Sequence, residues 1–133
     1  MREILFRGKL PGTDEWVEGY VVKGQCTYIL TAENIHYMSV SVMGHANIDV
    51  LSVKPDSVGQ YTGLTDKNGK RIFEGDIVDI LTENEEIGVV EYEDGGFLVS
   101  ADGFCVDFHA NINGTDLEII GNIHDNGELM EVR

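Results

Sequence analysis

Basic residues are nearly missing from the second half of this chain. Residues 72–133 hold 16 Asp/Glu and a single basic residue, Arg133, whereas residues 1–71 hold eight of each sign. The second half therefore carries the whole net charge of −15. Nucleic-acid affinity comes largely from Lys and Arg displacing counterions from phosphates, and an acidic field works against it. That argues against direct nucleic-acid binding by this half and leaves two readings, a solvated surface that keeps the protein in solution or a face that attracts a basic partner. Long apolar runs are also missing. Nothing approaches the roughly 18 consecutive apolar residues of a membrane span, and Met1-Arg2-Glu3-Ile4 does not open a signal peptide, so the expected location is cytoplasmic, away from membranes. Cysteine is scarce: Cys26 and Cys105 lie far apart and read as reduced, part-buried thiols rather than a disulfide.

What is present is a series of short β-branched and aromatic runs broken by Gly, Asn and Asp, which is the pattern of strands. Strands are expected near Ile4–Arg7, Trp16–Val22, Thr27–Leu30, Ile35–Val42, Asn47–Val53, Val58–Leu64, Ile77–Leu81, Ile87–Tyr92, Phe97–Ser100, Phe104–Phe108 and Leu117–Ile123. Asp66-Lys67-Asn68-Gly69, Asp94-Gly95-Gly96, Asp102-Gly103 and Asn113-Gly114 supply turn residues that tolerate positive φ. Asn68-Gly69 in particular reads as a type I′ pair. Helix is confined to a turn or two around Ala32–His36 and Glu128–Val132. Pro55 cannot donate to a ladder and holds Lys54 extended, which divides the chain into a β-rich part, residues 1–53, and a second part, residues 54–133. The rhythm of the second part is that of a small SH3-like barrel, since strands this short protect their edges by curling. The expected class is thus mainly β, with few short helices.

Residues able to do chemistry are present but scattered. In Phe104-Cys105-Val106-Asp107-Phe108-His109, alternation puts Cys105, Asp107 and His109 on one strand face, a set that could ligate zinc or pair a nucleophile with a base. Side chains two apart on a strand are about 7 Å apart at the backbone, too far to hydrogen-bond directly, so the set reads as an ordinary strand. His36, His45 and His124 have no metal-binding spacing, and no glycine run matches GxGxxG or a P-loop. A hydrolase reading remains as an alternative, with Asp76, Asp79 and His109 around Mg²⁺. No catalytic, cofactor or metal residue is assigned. The candidate interaction residues are Tyr61 and the carboxylates Glu83, Glu85, Glu86, Glu91, Glu93 and Asp94.

The stretch Val58-Gly59-Gln60-Tyr61-Thr62-Gly63-Leu64, then Asp66-Lys67-Asn68-Gly69-Lys70, then Ile72-Phe73-Glu74-Gly75-Asp76-Ile77-Val78, strongly resembles the YopX family of phage and prophage proteins. The resemblance extends to residues 1–8, to Glu15-Trp16-Val17-Glu18-Gly19, to Ile87-Gly88-Val89-Val90-Glu91-Tyr92 and to Ile119-Ile120-Gly121-Asn122-Ile123. Gly127 stands where the family often has Pro. The resemblance implies a phage-derived accessory protein of a bacterial host cell, largely β with an SH3-like second part, tending to self-associate. It brings no established activity and no catalytic residues. The favoured expectation is a non-enzymatic interaction module acting on a phage or host protein and using no cofactor. The narrower alternative is an acidic mimic of DNA that occupies a nucleic-acid-binding protein. Either way, purified protein is expected to leave labelled DNA and RNA unshifted in a gel at low salt; a discrete shifted band would contradict the charge argument.

Overall fold

The computed structural model describes residues 3–31, 39–40, 46–47, 51–81, 86–101, 104–108 and 113–131. The chain forms two compact units, Glu3–Gln60 and Tyr61–Arg133, both made almost wholly of antiparallel strands. It is mainly β, as the alternation and turn chemistry require. Among the described residues the only α-helix is α1 (Glu128–Glu131), and no helix is long and apolar enough to cross a membrane. The helical turn expected around Ala32–His36 and the turn at Asp102-Gly103 fall outside the described residues.

The first unit contains β1 (Phe6–Lys9), β2 (Trp16–Lys23), β3 (Thr27–Thr31), β4 (Ser39–Val40), β5 (Ala46–Asn47) and β6 (Leu51–Ser52). Its sheet runs β6-β3-β2-β1, and β4 pairs with β5. Period-two alternation decides the faces: Ile29 of β3 is fully buried while Tyr20 and Val22 of β2 are exposed. After β6 the chain leaves the sheet at Lys54, which is extended (φ −67°, ψ 121°), and Pro55 opens a 3-10 turn over Pro55–Ser57. A missing N–H costs nothing at that first helical position. The buried Ser57 fastens the turn: its hydroxyl donates to Lys54 C=O (2.6 Å) and accepts Lys9 N–H (2.8 Å).

Strand β7 (Gly59–Thr65) begins with Gly59 and Gln60 paired to Arg7 and Phe6. Its later residues belong to the second unit, where Tyr61 and Thr65 oppose Phe73 and Arg71 of β8 (Arg71–Phe73) across a register shift. The shift is stabilised by Thr62, whose hydroxyl donates to Ile72 C=O (2.9 Å) and accepts Leu64 N–H (3.2 Å). Next come β9 (Asp76–Ile80), β10 (Glu86–Glu93), β11 (Gly96–Ala101), β12 (Phe104–Asp107) and β13 (Leu117–Asn122). They form one sheet in the order β12-β11-β10-β9-β13. Four strands make a meander, and the fifth returns to the first.

That order is what a small barrel needs, yet the expected barrel is not closed: β12 and β13 are opposite ends of the sheet. The physical reason lies in what covers the core. Val78, Ile80, Val90, Val99 and Leu117 point to one side of the sheet, and Ile72 from β8, Leu64 from β7 and Phe108 pack onto them. Each fully buried aliphatic side chain contributes roughly 1.5–3 kcal/mol. The β7–β8 hairpin thus supplies the cover that curling would otherwise provide.

The turns also sort differently from expectation. Asp94 and Gly95 have φ of 53° and 82°, so the type I′ pair is theirs. Asn68 is not at positive φ. Instead Gly69 (φ 81°) follows a turn in which Gly69 N–H donates to Asp66 C=O (3.0 Å) and Asp66 N–H to Lys70 C=O (2.8 Å), the arrangement of a type I turn with a glycine bulge. Asn113-Gly114 is no hairpin turn but the start of a 3-10 turn over Gly114–Asp116. Gly114 is needed for close approach, since a Cβ there would run into the carbonyl oxygen of Thr65.

Gly69→Val forces a β-branched residue to positive φ and is expected to destabilise the protein by about 1 kcal/mol or more. Gly114→Ala meets rigid backbone and should cost about 2 kcal/mol. Both appear as a lower denaturant midpoint at unchanged slope; an unaltered midpoint would remove these roles.

Candidate functional site

The glycine-rich stretch 58–80 holds two buried carboxylates, and both are occupied by backbone. Asp66, 2% exposed, accepts Asn68 N–H (2.9 Å) and Lys70 N–H (3.0 Å) on Oδ1 and Ile119 N–H (3.0 Å) on Oδ2. Lys67 N–H donates to Leu117 C=O (3.0 Å), and the Lys67 ammonium lies 3.5 Å from Glu118. The turn is thereby bonded along the outer edge of β13. Burial acts to raise the Asp66 carboxyl, but the amides of Ile119, Lys70 and Asn68 and the charge of Lys70 act together the other way and leave it below the ordinary 3.8. Asp76, 1% exposed, accepts Phe73 N–H on Oδ2 (2.8 Å) across the β8–β9 turn. The stretch is a folding device.

The two carboxylates of the hydrolase set do not share a face. Asp76 and Asp79 are three apart on β9 and so face opposite sides of the strand, and His109 falls outside the described residues. Cys105 and Asp107 do share a face, both exposed, with Cys105 Sγ 3.9 Å from the Ser100 hydroxyl. Both cysteines are free and fully on the surface rather than part-buried, because each sits on an outward-facing or turn position. Among the described residues no group of three His, Cys, Asp or Glu could hold a metal ion.

The candidate interaction residues separate. Tyr61 is half-buried, its ring 5.6 Å from Phe73 and 5.9 Å from the Arg71 guanidinium, remote in chemistry from the acidic set. Glu83 and Glu85 fall outside the described residues, and Glu86 begins β10 half-buried. Glu91, Glu93 and Asp94 gather, all exposed, at the far end of β10 and its turn. There Tyr92, 52% exposed, meets Phe97 edge to face at 5.0 Å. Sequence reading missed one member of this group. Leu98 of β11 opposes both Glu91 of β10 and Asp107 of β12, which places the two carboxylates on one face, two strands apart, or about 10 Å. The signal that could have found Asp107 was the pair of registers implied together by the two-residue Asp94-Gly95 and Asp102-Gly103 spacings.

A family description, YopX protein, matches residues 5–131, nearly the whole chain. The chain belongs to the YopX family. A solved structure of similar fold is that of protein EF1440 from Enterococcus faecalis, which aligns with a TM-score of 0.60 at 21% identity, over 98% of this chain and 99% of that one. At that identity the likeness speaks for the fold alone. No curated protein matches the chain. Within this YopX-family fold, the Asp66 carboxylate predicts a pH signature. Its folded-state pKa is lowered, so its stabilising effect is complete above the unfolded value near 3.8 and is lost as pH falls through the lower folded value. Asp66→Ala should cost about 3 kcal/mol at pH 7 and progressively less below pH 3.8, read from urea unfolding of both proteins across that range. A difference independent of pH would show that the carboxylate charge is not what holds the turn.

Proposed function

We propose that this YopX-family protein is a non-enzymatic interaction module of phage or prophage origin, acting on a phage or host protein through the acidic end of its second unit. The observation that supports the reading is the exposed group Glu91, Glu93, Asp94 and Asp107 around the β10–β11 turn, in a half-chain with one basic residue against 16 acidic ones. Carboxylates that are buried, Asp66 and Asp76, are engaged by backbone amides, which leaves the exposed ones to meet a partner. Such a face steers basic surfaces toward it and acts chiefly on association rate. Self-association belongs to the same proposal: Tyr20 (42% exposed) and Val22 (47% exposed) give the first unit an uncovered apolar patch.

The test is recovery of the partner from infected host cells by pull-down and mass spectrometry, followed by stopped-flow binding. The association rate should fall between low and moderate salt, because screening shortens the reach of the charges to about 8 Å. Glu91→Lys and Glu93→Lys together should slow association while leaving the melting temperature nearly unchanged, since exposed charges contribute little to stability. A partner that is itself a nucleic-acid-binding protein, displaced by DNA, would favour the DNA-mimic form. Binding indifferent to salt and to the reversals would reduce the acidic half to a solubilising surface. Light scattering should give a mass of at least two chains; a monomer across micromolar concentrations would remove self-association.

A further inference from the structure

The two edges of the five-stranded sheet are treated differently. At β13 the outer edge is covered by the Asp66–Lys70 turn: Leu117 C=O accepts Lys67 N–H and Ile119 N–H donates to the Asp66 carboxylate. At β12 no strand among the described residues pairs with the outer side. Its register tells which groups are open. Phe108 N–H donates to Phe97 C=O (3.3 Å), and in an antiparallel pair such bonds recur at alternate residues, so Val106 is directed inward to β11. The N–H and C=O of Cys105 and Asp107 are directed outward. Proteins commonly block an open edge with lysine, proline or a bulge. Strand β12, Phe-Cys-Val-Asp, is short and carries none of these three; its one charge, Asp107, turns away acidic segments but not basic ones.

Charge then selects the occupant. Asp107 sits on the open strand itself, with Glu91 in register behind it across Leu98 and with Glu93 and Asp94 at the adjoining turn. An extended segment laid along β12 would bring alternate side chains over this face, where a lysine or arginine meets carboxylates and an acidic residue is repelled. We propose that β12 accepts a basic, extended segment of a partner protein as a sixth strand, paired through the backbone of Cys105 and Asp107. The inference rests on the interaction-module reading and names how the partner is held.

The probe is a capped octapeptide of alternating Lys and Val, labelled for fluorescence anisotropy, beside the same peptide with Glu for Lys and the same peptide N-methylated at every residue. The Lys peptide should bind, the Glu peptide should not, and N-methylation should weaken binding by about tenfold or more, since it removes backbone pairing and keeps the charge. Cys105→Pro removes an outward N–H at an edge position, where proline is tolerated, and, compared with Cys105→Ala as the control for loss of the thiol, should weaken the Lys peptide similarly at an unchanged melting temperature. Amide exchange gives a readout that does not depend on any variant: the amides of Cys105 and Asp107 should become protected on adding the Lys peptide. Salt-sensitive binding that survives both N-methylation and Cys105→Pro overturns strand addition while leaving the acidic-face reading intact. No binding of the Lys peptide at low salt, or exchange at Cys105 and Asp107 unaltered by it, also overturns the proposal, whereas the cell-derived partner tests the broader reading on its own.

Discussion

The second unit depends on one buried carboxylate. Asp66 closes its own turn through Asn68 and Lys70 and, with its other oxygen, holds Ile119, 53 residues further along the chain. A local hairpin is thereby converted into a wall for the last strand. With β13 held against β9, Leu117 is fully buried beside Val78 and Ile80, and the core has its far side. A carboxylate accepting three amides is strong because charge-assisted bonds are made in a site with little water, and costly to disturb for the same reason. The glycine at position 114 belongs to the same construction, since it lets the Thr65 carbonyl lie against the start of β13's preceding turn.

The excess of negative charge is distributed by a related rule. Sixteen acidic residues and one basic residue after position 71 cannot neutralise one another by ion pairs, so carboxylates there turn to amides, to a cation from the first half or to water. Asp76, like Asp66 just before that half, is held by amides inside a turn, and Glu91, Glu93, Asp94 and Asp107 are exposed to water at one end of the sheet. The few cations of the chain are used elsewhere: Arg7 stacks over Trp16 at 4.7 Å, Lys9 reaches Asp14 at 3.6 Å, and Lys67 reaches Glu118. What is left is an acidic surface beside β12, with whose outer side no strand among the described residues pairs. The proposed docking rests on that conjunction rather than on the charge alone.

A fold shared with the Enterococcus faecalis protein at 21% identity is consistent with how little of the sequence the architecture constrains. Hydrophobic alternation and a few turn residues suffice to specify a meander, and core positions accept aliphatic exchanges of similar volume. Surface charge is free to vary within those limits. Family membership therefore carries the frame, while the acidic face has to be argued from this chain's own residues.

By itself the sequence determined the strands, since period-two alternation and Gly, Asn and Asp punctuation are local properties. Of the expected strands, Trp16–Val22, Thr27–Leu30, Ile87–Tyr92 and Phe97–Ser100 lie within observed ones, Val58–Leu64 overlaps one that begins a residue later, and among the described strands only Arg71–Phe73 went unassigned, three residues being too few to show a period. It also determined the charge asymmetry and the family. Tertiary structure decided the rest. Which Asx-Gly pair takes the type I′ form depends on the strands flanking it, so Asp94-Gly95 has it and Asn68-Gly69 does not. Whether five strands close depends on what else covers their core, and here the β7–β8 hairpin does so. Register alone brings Asp107 behind Glu91, and a bond spanning 53 residues helps to cover one edge of the sheet, while no strand among the described residues pairs with the other. None of these is a local property, because each is set by backbone groups meeting across strands that the chain order does not place side by side.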